Sequence, residues 1–98
     1  MAADLPSSDS AVWCRRSDIA FVEEASGVVV LPLSAGNPVP LSLENSAWEI
    51  WKCIDGVSPL RDILRDLAHL YGTSTAALQP QVTGFLVDLE RRGLVRRL

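Results

Sequence analysis

Histidine and cysteine are scarce in this chain: 98 residues hold one of the first and two of the second. One imidazole and two thiols cannot fill the four positions of a structural zinc site, and Cys14 and Cys53 match no finger spacing. They form no CxxC pair either. A reducing cytosol keeps thiols free, so buried structural roles are expected and a disulfide has no support. The six glycines are scattered over turn and cap positions and make no phosphate-cradling loop. No apolar run approaches the ~20 residues of a membrane-spanning helix. The first twelve residues carry two acids, no base and no apolar stretch. No signal peptide is expected there, and the cytoplasm is the expected location. A positive balance is missing too: twelve acids against nine bases leave −3, which argues against nucleic acid as the first-choice partner.

Groupings that could do catalysis are equally thin. His69 falls off the apolar face of its helix. Glu23 and Glu24 are neighbours on a strand and so point to opposite faces. Neither cysteine has a histidine near it in sequence to serve as its general base. No enzyme activity and no cofactor are expected.

What the chain does have is apolar residues, 48% of the total, enough for one modest core. The expected organisation is a loose tail over residues 1–12, rich in Ser, Asp and Pro6, and one domain over 13–98. Strand signals come first. Ile19–Glu24 alternates in part, with Ile19 and Phe21 on one face. Ala25–Gly27 is a turn, and Val28–Leu31 is a β-branched run that Pro32 should end. Ala35–Gly36–Asn37–Pro38 is a second turn. Val39–Leu43 then alternates, placing Val39, Leu41 and Leu43 on one side. This pattern predicts a three-stranded antiparallel meander.

After Leu43 the period becomes helical. Asn45 or Ser46 can cap a first helix, whose stripe is Ala47, Ile50, Trp51 and Ile54. Asp55-Gly56 stops it. Ser58-Pro59 opens a second helix with a serine cap and Leu60, Ile63, Leu64, Leu67 and Tyr71 as its core face. Ser74 or Thr75 begins a third helical segment. Pro80 interrupts its first turn, so the regular part is expected to start near Pro80. Its stripe is Val82, Phe85, Leu86 and Leu89; Gly93 ends it, and Leu94-Val95 follow as a short apolar tail. Three strands followed by three helices give an α+β, winged-helix-like fold.

The ordered pieces carry a resemblance. Leu43, Asn45 and Ala47 at the strand-to-helix junction are followed by Ile50-Trp51 and Asp55-Gly56. Then come Ile63, Leu67 and Tyr71, the set Val82, Phe85, Leu86 and Leu89, and finally Gly93-Leu94-Val95. In this order and spacing they resemble the PqqD-like family, whose members are precursor-peptide recognition elements. The resemblance runs from Ile19 to Arg96, and the region before Asn45 departs from it most.

The resemblance implies a function. The leader of a ribosomally made (RiPP) precursor adds as an extra strand to the third strand and lies in a cleft beside the third helix. This is β-augmentation, in which main-chain hydrogen bonds give affinity and side-chain pockets give specificity. Here the strand side would be Val39, Pro40, Leu41, Ser42 and Leu43. The helix side would be Val82, Phe85, Asp88, Leu89 and Arg92. Pro40 should face the free edge, leaving Ser42 to offer outward backbone groups. Asp88 and Arg92, four apart, can equally form a surface pair. The implied partners are the leader peptide and a processing enzyme, either a leader peptidase or a modifying enzyme. A free-standing domain of this size also resembles those of lasso-peptide pathways.

Two rivals belong to other classes. A winged-helix DNA-binding regulator would use the third helix in the major groove and the cluster Arg91, Arg92, Arg96 and Arg97 on phosphates. Against it, Asp88 and Glu90 sit on the presumed recognition face. That same arginine cluster can instead complement a helix C-terminus or receive an acidic segment. A plain assembly subunit would pair through the same strand edge. Trp51 falls on a core stripe, whereas Trp13 and Trp48 receive no assignment.

Overall fold

A computed structural model describes residues 10–33, 36 and 38–98. Among these residues are five strands and three helices: β1 (Trp13–Arg15), β2 (Ile19–Glu24), β3 (Gly27–Pro32), β4 (Leu41–Glu44), α1 (Ser46–Cys53), α2 (Leu60–Tyr71), α3 (Thr75–Arg91) and β5 (Val95–Arg97). The predicted meander is there, in the order β2-β3-β4, all antiparallel. The α+β class with three helices after the meander is also as expected, and its layout is compatible with a winged-helix-like fold.

The meander's register follows from its first turn. Ala25-Ser26 connect the paired residues Glu24 and Gly27, a two-residue hairpin loop. Val28 then faces Leu43, and Val30 faces Leu41. Val28, Val30 and Leu43 are buried on the face that meets the helices, together with Trp51, Leu60, Ile63, Leu64, Val82, Leu86 and Leu89. Gly27 is required by close approach: a Cβ there would collide with the carbonyl oxygen of Leu43.

Six expectations need correcting. The last strand of the meander begins at Leu41, not at Val39; Val39 and Pro40 lie before it. Pro40 has no N–H to give a ladder, so pairing starts after it. The third helix does not wait for Pro80. It starts at Thr75, where the Ser74 hydroxyl accepts from Ala77 N at 3.1 Å, and it runs through Pro80 without breaking. The satisfied cap and the helix-forming Ala76-Ala77-Leu78-Gln79 outweigh the loss of one backbone bond to Ala76.

Neither expected cap of α1 or α2 forms. The Asn45 side chain makes no cap bond, and its backbone sits at φ 57°, in the left-handed region that non-glycine residues seldom visit. Ser58 is turned the other way, its hydroxyl donating to Asp55 Oδ2 at 2.8 Å. Tyr71, expected in the core, is 46% exposed.

The last correction is a second sheet. β1 and β5 pair antiparallel, Trp13 opposite Arg97 and Arg15 opposite Val95. The turn into β5 is a Schellman motif. Gly93, at φ 78°, donates to Glu90 O at 3.0 Å, and Leu94 donates to Leu89 O at 3.0 Å. Leu94, Val95 and Trp13 thereby enter the core. Of the expected tail, residues 1–9 fall outside the described residues, as do Ala35 and Asn37 of the second predicted turn. Ala11 and Val12 are held: their carbonyls accept from Leu60 N and Leu98 N, both at 2.8 Å.

Candidate functional site

β4 is an outer strand of its sheet, and among the described residues no strand pairs with its far side. Which backbone groups point there follows from alternation. A two-residue hairpin closes on a hydrogen-bonded pair, so Gly27 bonds toward β2 and Val28 bonds toward β4. The crowding of Gly27 by the Leu43 carbonyl says the same from the other strand. Leu43 and Leu41 therefore direct their N–H and C=O groups inward to β3. Ser42 and Glu44 direct theirs to the open edge. Ser42 and Glu44 are exposed, Leu41 half-buried and Leu43 buried.

Beyond the C-terminal end of β4 the chain turns straight into α1, and a small apolar concavity of about 150 Å³ opens between α1, α2 and α3. Ala47, Ile50, Leu78, Val82 and Phe85 are among its lining residues. Of the site residues expected from the sequence, it brings together Val82 and Phe85, but none from β4. Val82 is 2% exposed and Leu89 0%, so neither has surface to give a guest strand in this conformation. Phe85 is half-buried and packs on the core from outside, leaving part of its ring accessible. Asp88 and Arg92 are exposed and pair with one another, Arg92 Nε donating to Asp88 Oδ2 at 2.9 Å. Val39, 60% exposed, and Pro40 stand at the N-terminal approach to the edge.

Two further concavities escaped the sequence reading. One, of about 640 Å³, lies between Ser26, Asn45, Trp48 and Tyr71, and shares Ser46 and Tyr71 with the smaller one. The other, of about 450 Å³, is lined by Arg15, Arg16, Ser17, Asp18 and Arg96. Each draws on elements remote in sequence. The adjacent Arg15-Arg16 was visible, but its meeting with Arg96 depends on the β1–β5 pairing.

Reactive groups are few. Burial pushes the Cys53 thiol up, Asp66, Glu49 and Asp55 add to the shift, and Lys52 opposes it. A thiol so held is a poor nucleophile at neutral pH. Both cysteines are free. His69 is exposed. No group of His, Cys, Asp or Glu that could hold a metal occurs among the described residues. No helix there is long and apolar enough to cross a membrane.

The profile of the family described as Coenzyme PQQ synthesis protein D (PqqD) matches residues 27–95, from the start of β3 into β5. The chain belongs to the PqqD family. Membership implies a part in RiPP biosynthesis through binding of a precursor peptide, alongside a modifying enzyme. The match to PqqD lends nothing to the DNA-binding alternative. Comparison with curated proteins and with solved structures finds no match. The matched span contains β4, α3 and the junction at Asn45, which are the parts of the fold that frame the open edge.

Proposed function

We propose that this PqqD-family chain binds the leader segment of its precursor as a strand added to β4 beside α3, and delivers it to a leader peptidase or another modifying enzyme. It acts as a carrier and does no chemistry itself. The observation that carries the reading is the outward backbone of Ser42 on an edge that no strand covers among the described residues. A guest strand paired there receives one N–H and gives one, with a second pair of contacts available at Glu44. Strand addition supplies affinity with little dependence on guest sequence, so discrimination must come from side chains. Phe85 and the small apolar concavity offer space for an apolar side chain of the guest. Pro40 shortens the edge, which shifts more of the recognition onto such pockets. It also discourages the same edge from pairing with another copy of the chain.

The test is amide hydrogen exchange during titration with a synthetic leader peptide, drawn from whatever short precursor gene neighbours the gene for this chain. Protection should appear at Ser42 and Glu44, with ring shifts at Phe85. Saturable binding that leaves Ser42 unprotected, or that protects the β2 edge instead, rules out the assignment. Lasso-peptide biosynthesis is the pathway to examine first; a neighbouring transglutaminase-like protease and asparagine-synthetase-like cyclase would identify it.

A further inference from the structure

β2 is the other outer strand of the meander, and among the described residues no strand pairs with its far side. The two edges are unlike. β4 is short and follows Pro40, whereas β2 pairs with β3 along its whole length without a bulge and contains neither proline nor lysine. Proline, lysine, bulges and shortness are the usual guards of a free edge. From Ala20 onward every residue of β2 is exposed, Val22 at 66% and Phe21 at nearly half. A regular, apolar edge of this kind is a template for another strand.

The hairpin fixes which backbone groups face out. Glu24 and Gly27 close it as a hydrogen-bonded pair, so Ala20, Val22 and Glu24 bond toward β3. The Leu33 N–H, donating to Asp18 O at 2.9 Å, continues the same phase. Ile19, Phe21 and Glu23 therefore direct their N–H and C=O groups to the open side. Their side chains share the face of the buried Val30, which lies opposite Phe21. There the Phe21 ring meets Trp51 edge-on, and the Arg15 guanidinium lies 5.6 Å from its centre. Ala20, Val22 and Glu24 stand on the other face, away from the helices.

We propose that β2 is a self-association edge, on which a second copy of this chain pairs antiparallel about a two-fold axis at Val22. Charge selects the occupant and the register, because both acids of β2 lie at one end and reversal carries them away from each other. An axis at Glu23 would set the two Glu23 side chains face to face. An axis at Phe21 would set Glu24 against Asp18 of the second copy, and one at Ala20 would pair only Ile19–Phe21 within the strand. With the axis at Val22, Glu24 faces Ala20 and Glu23 faces Phe21, so an acid arrives beside the ring that Arg15 overlies, in both directions. No acid then faces an acid. The two Val22 side chains meet as a non-hydrogen-bonded pair, the closer kind, between two hydrogen-bonded pairs of Phe21 and Glu23. The product is one continuous sheet with a β4 edge still open at each end, so a dimer can carry two guests. One strand pair is a small contact, and the dimer is weak and concentration-dependent. The inference does not depend on strand addition at β4 being correct.

Sedimentation equilibrium of the full chain, from micromolar to millimolar concentration, reads the association, and circular dichroism verifies that each variant is folded. The chain should approach twice the monomer mass at the upper end. Val22→Lys opposes two like charges at the axis and should weaken the dimer by about tenfold or more. Ala20→Lys faces Glu24 of the second copy and should tighten it by roughly threefold. Both side chains are exposed, so neither change disturbs the core. Cysteine scanning under mild oxidation, with the unsubstituted chain in parallel, reads the register. Val22→Cys should cross-link to a dimer, since the two Cβ atoms approach across the axis. Glu24→Cys, which faces Ala20, should not. Four outcomes overturn the proposal: a monomer at every concentration, a dimer that survives Val22→Lys, equal cross-linking by the two cysteine variants, or a dimer that Val39→Lys abolishes and Val22→Lys does not, which would place the contact at the β4 edge.

Discussion

A proline at position 42 separates the two sides of β4. The Ser42 N–H points away from β3, so Ser42→Pro removes a donor that the domain does not use. The side chain is exposed, and Leu41 before it is already extended, as a residue preceding proline must be. The stability lost should stay below ~1 kcal/mol, a fall in Tm of no more than ~4–8 °C for a domain of this size. A guest strand would lose a donor worth ~0.5–1.5 kcal/mol net, and its own carbonyl would be left unpaired at ~1–3 kcal/mol. About 2 kcal/mol in all corresponds to a roughly thirtyfold rise in Kd. Leu41→Pro, one step out of phase, is the control. Its N–H faces Val30, whose side chain is fully buried, so this variant should lose several times more stability. Thermal unfolding and calorimetric titration with the leader, run on both variants, decide the matter. Unchanged leader affinity in Ser42→Pro, or a loss of Tm equal to that of Leu41→Pro, would refute the assignment of backbone directions.

Other outcomes follow from the same geometry. Gly27→Ala forces a Cβ into the Leu43 carbonyl, two backbones that cannot both give way, and should cost ~1–3 kcal/mol by denaturant unfolding. Phe85→Ala should weaken leader binding by about tenfold or more while remaining folded. Leu86→Ala, at a fully buried site, should instead lower the unfolding midpoint by ~2–5 kcal/mol in stability and leave the affinity of the folded fraction intact. Asp55 accepts from Val57 N, Ser58 N and the Ser58 hydroxyl, and these bonds, the Ser58 N–H first, hold its carboxyl below the ordinary value. Its stabilisation is present above the ordinary carboxylate range and disappears as pH falls through the lowered value. In Asp55→Ala that part of the acid dependence should be missing from unfolding curves taken across the range.

Much of the fold was legible because it is local. Ile19–Glu24 emerged as a strand with the bounds seen in the structure, and Leu60–Tyr71 as a helix, each from a period that short windows contain. What was missed depends on distance along the chain. Trp13–Arg15 and Val95–Arg97 are three residues each, too short for any period to show, and each becomes a strand only through the other. Pro80 misled because its penalty was weighed alone: the Ser74 cap and the helix-forming run before it outweigh the one lost bond locally, and the packing of Val82, Leu86 and Leu89 adds to this from a distance. The candidate edge could be read from Pro40 and the alternation around it. That Leu89 would be sealed and Phe85 left accessible could not, since one helical stripe does not say which of its residues a neighbouring element covers.

The clasp of β1 on β5 has a practical consequence for the chain's connectivity. Val12 and Leu98 are joined by a backbone hydrogen bond, so the two ends of the folded region emerge side by side. A short linker could join them, and the chain could be reopened at Val39-Pro40, which lie outside any strand just ahead of β4. The new terminus would then stand immediately before Leu41. A leader peptide fused there would sit beside its own docking edge, and binding would become an intramolecular event governed by linker length instead of concentration.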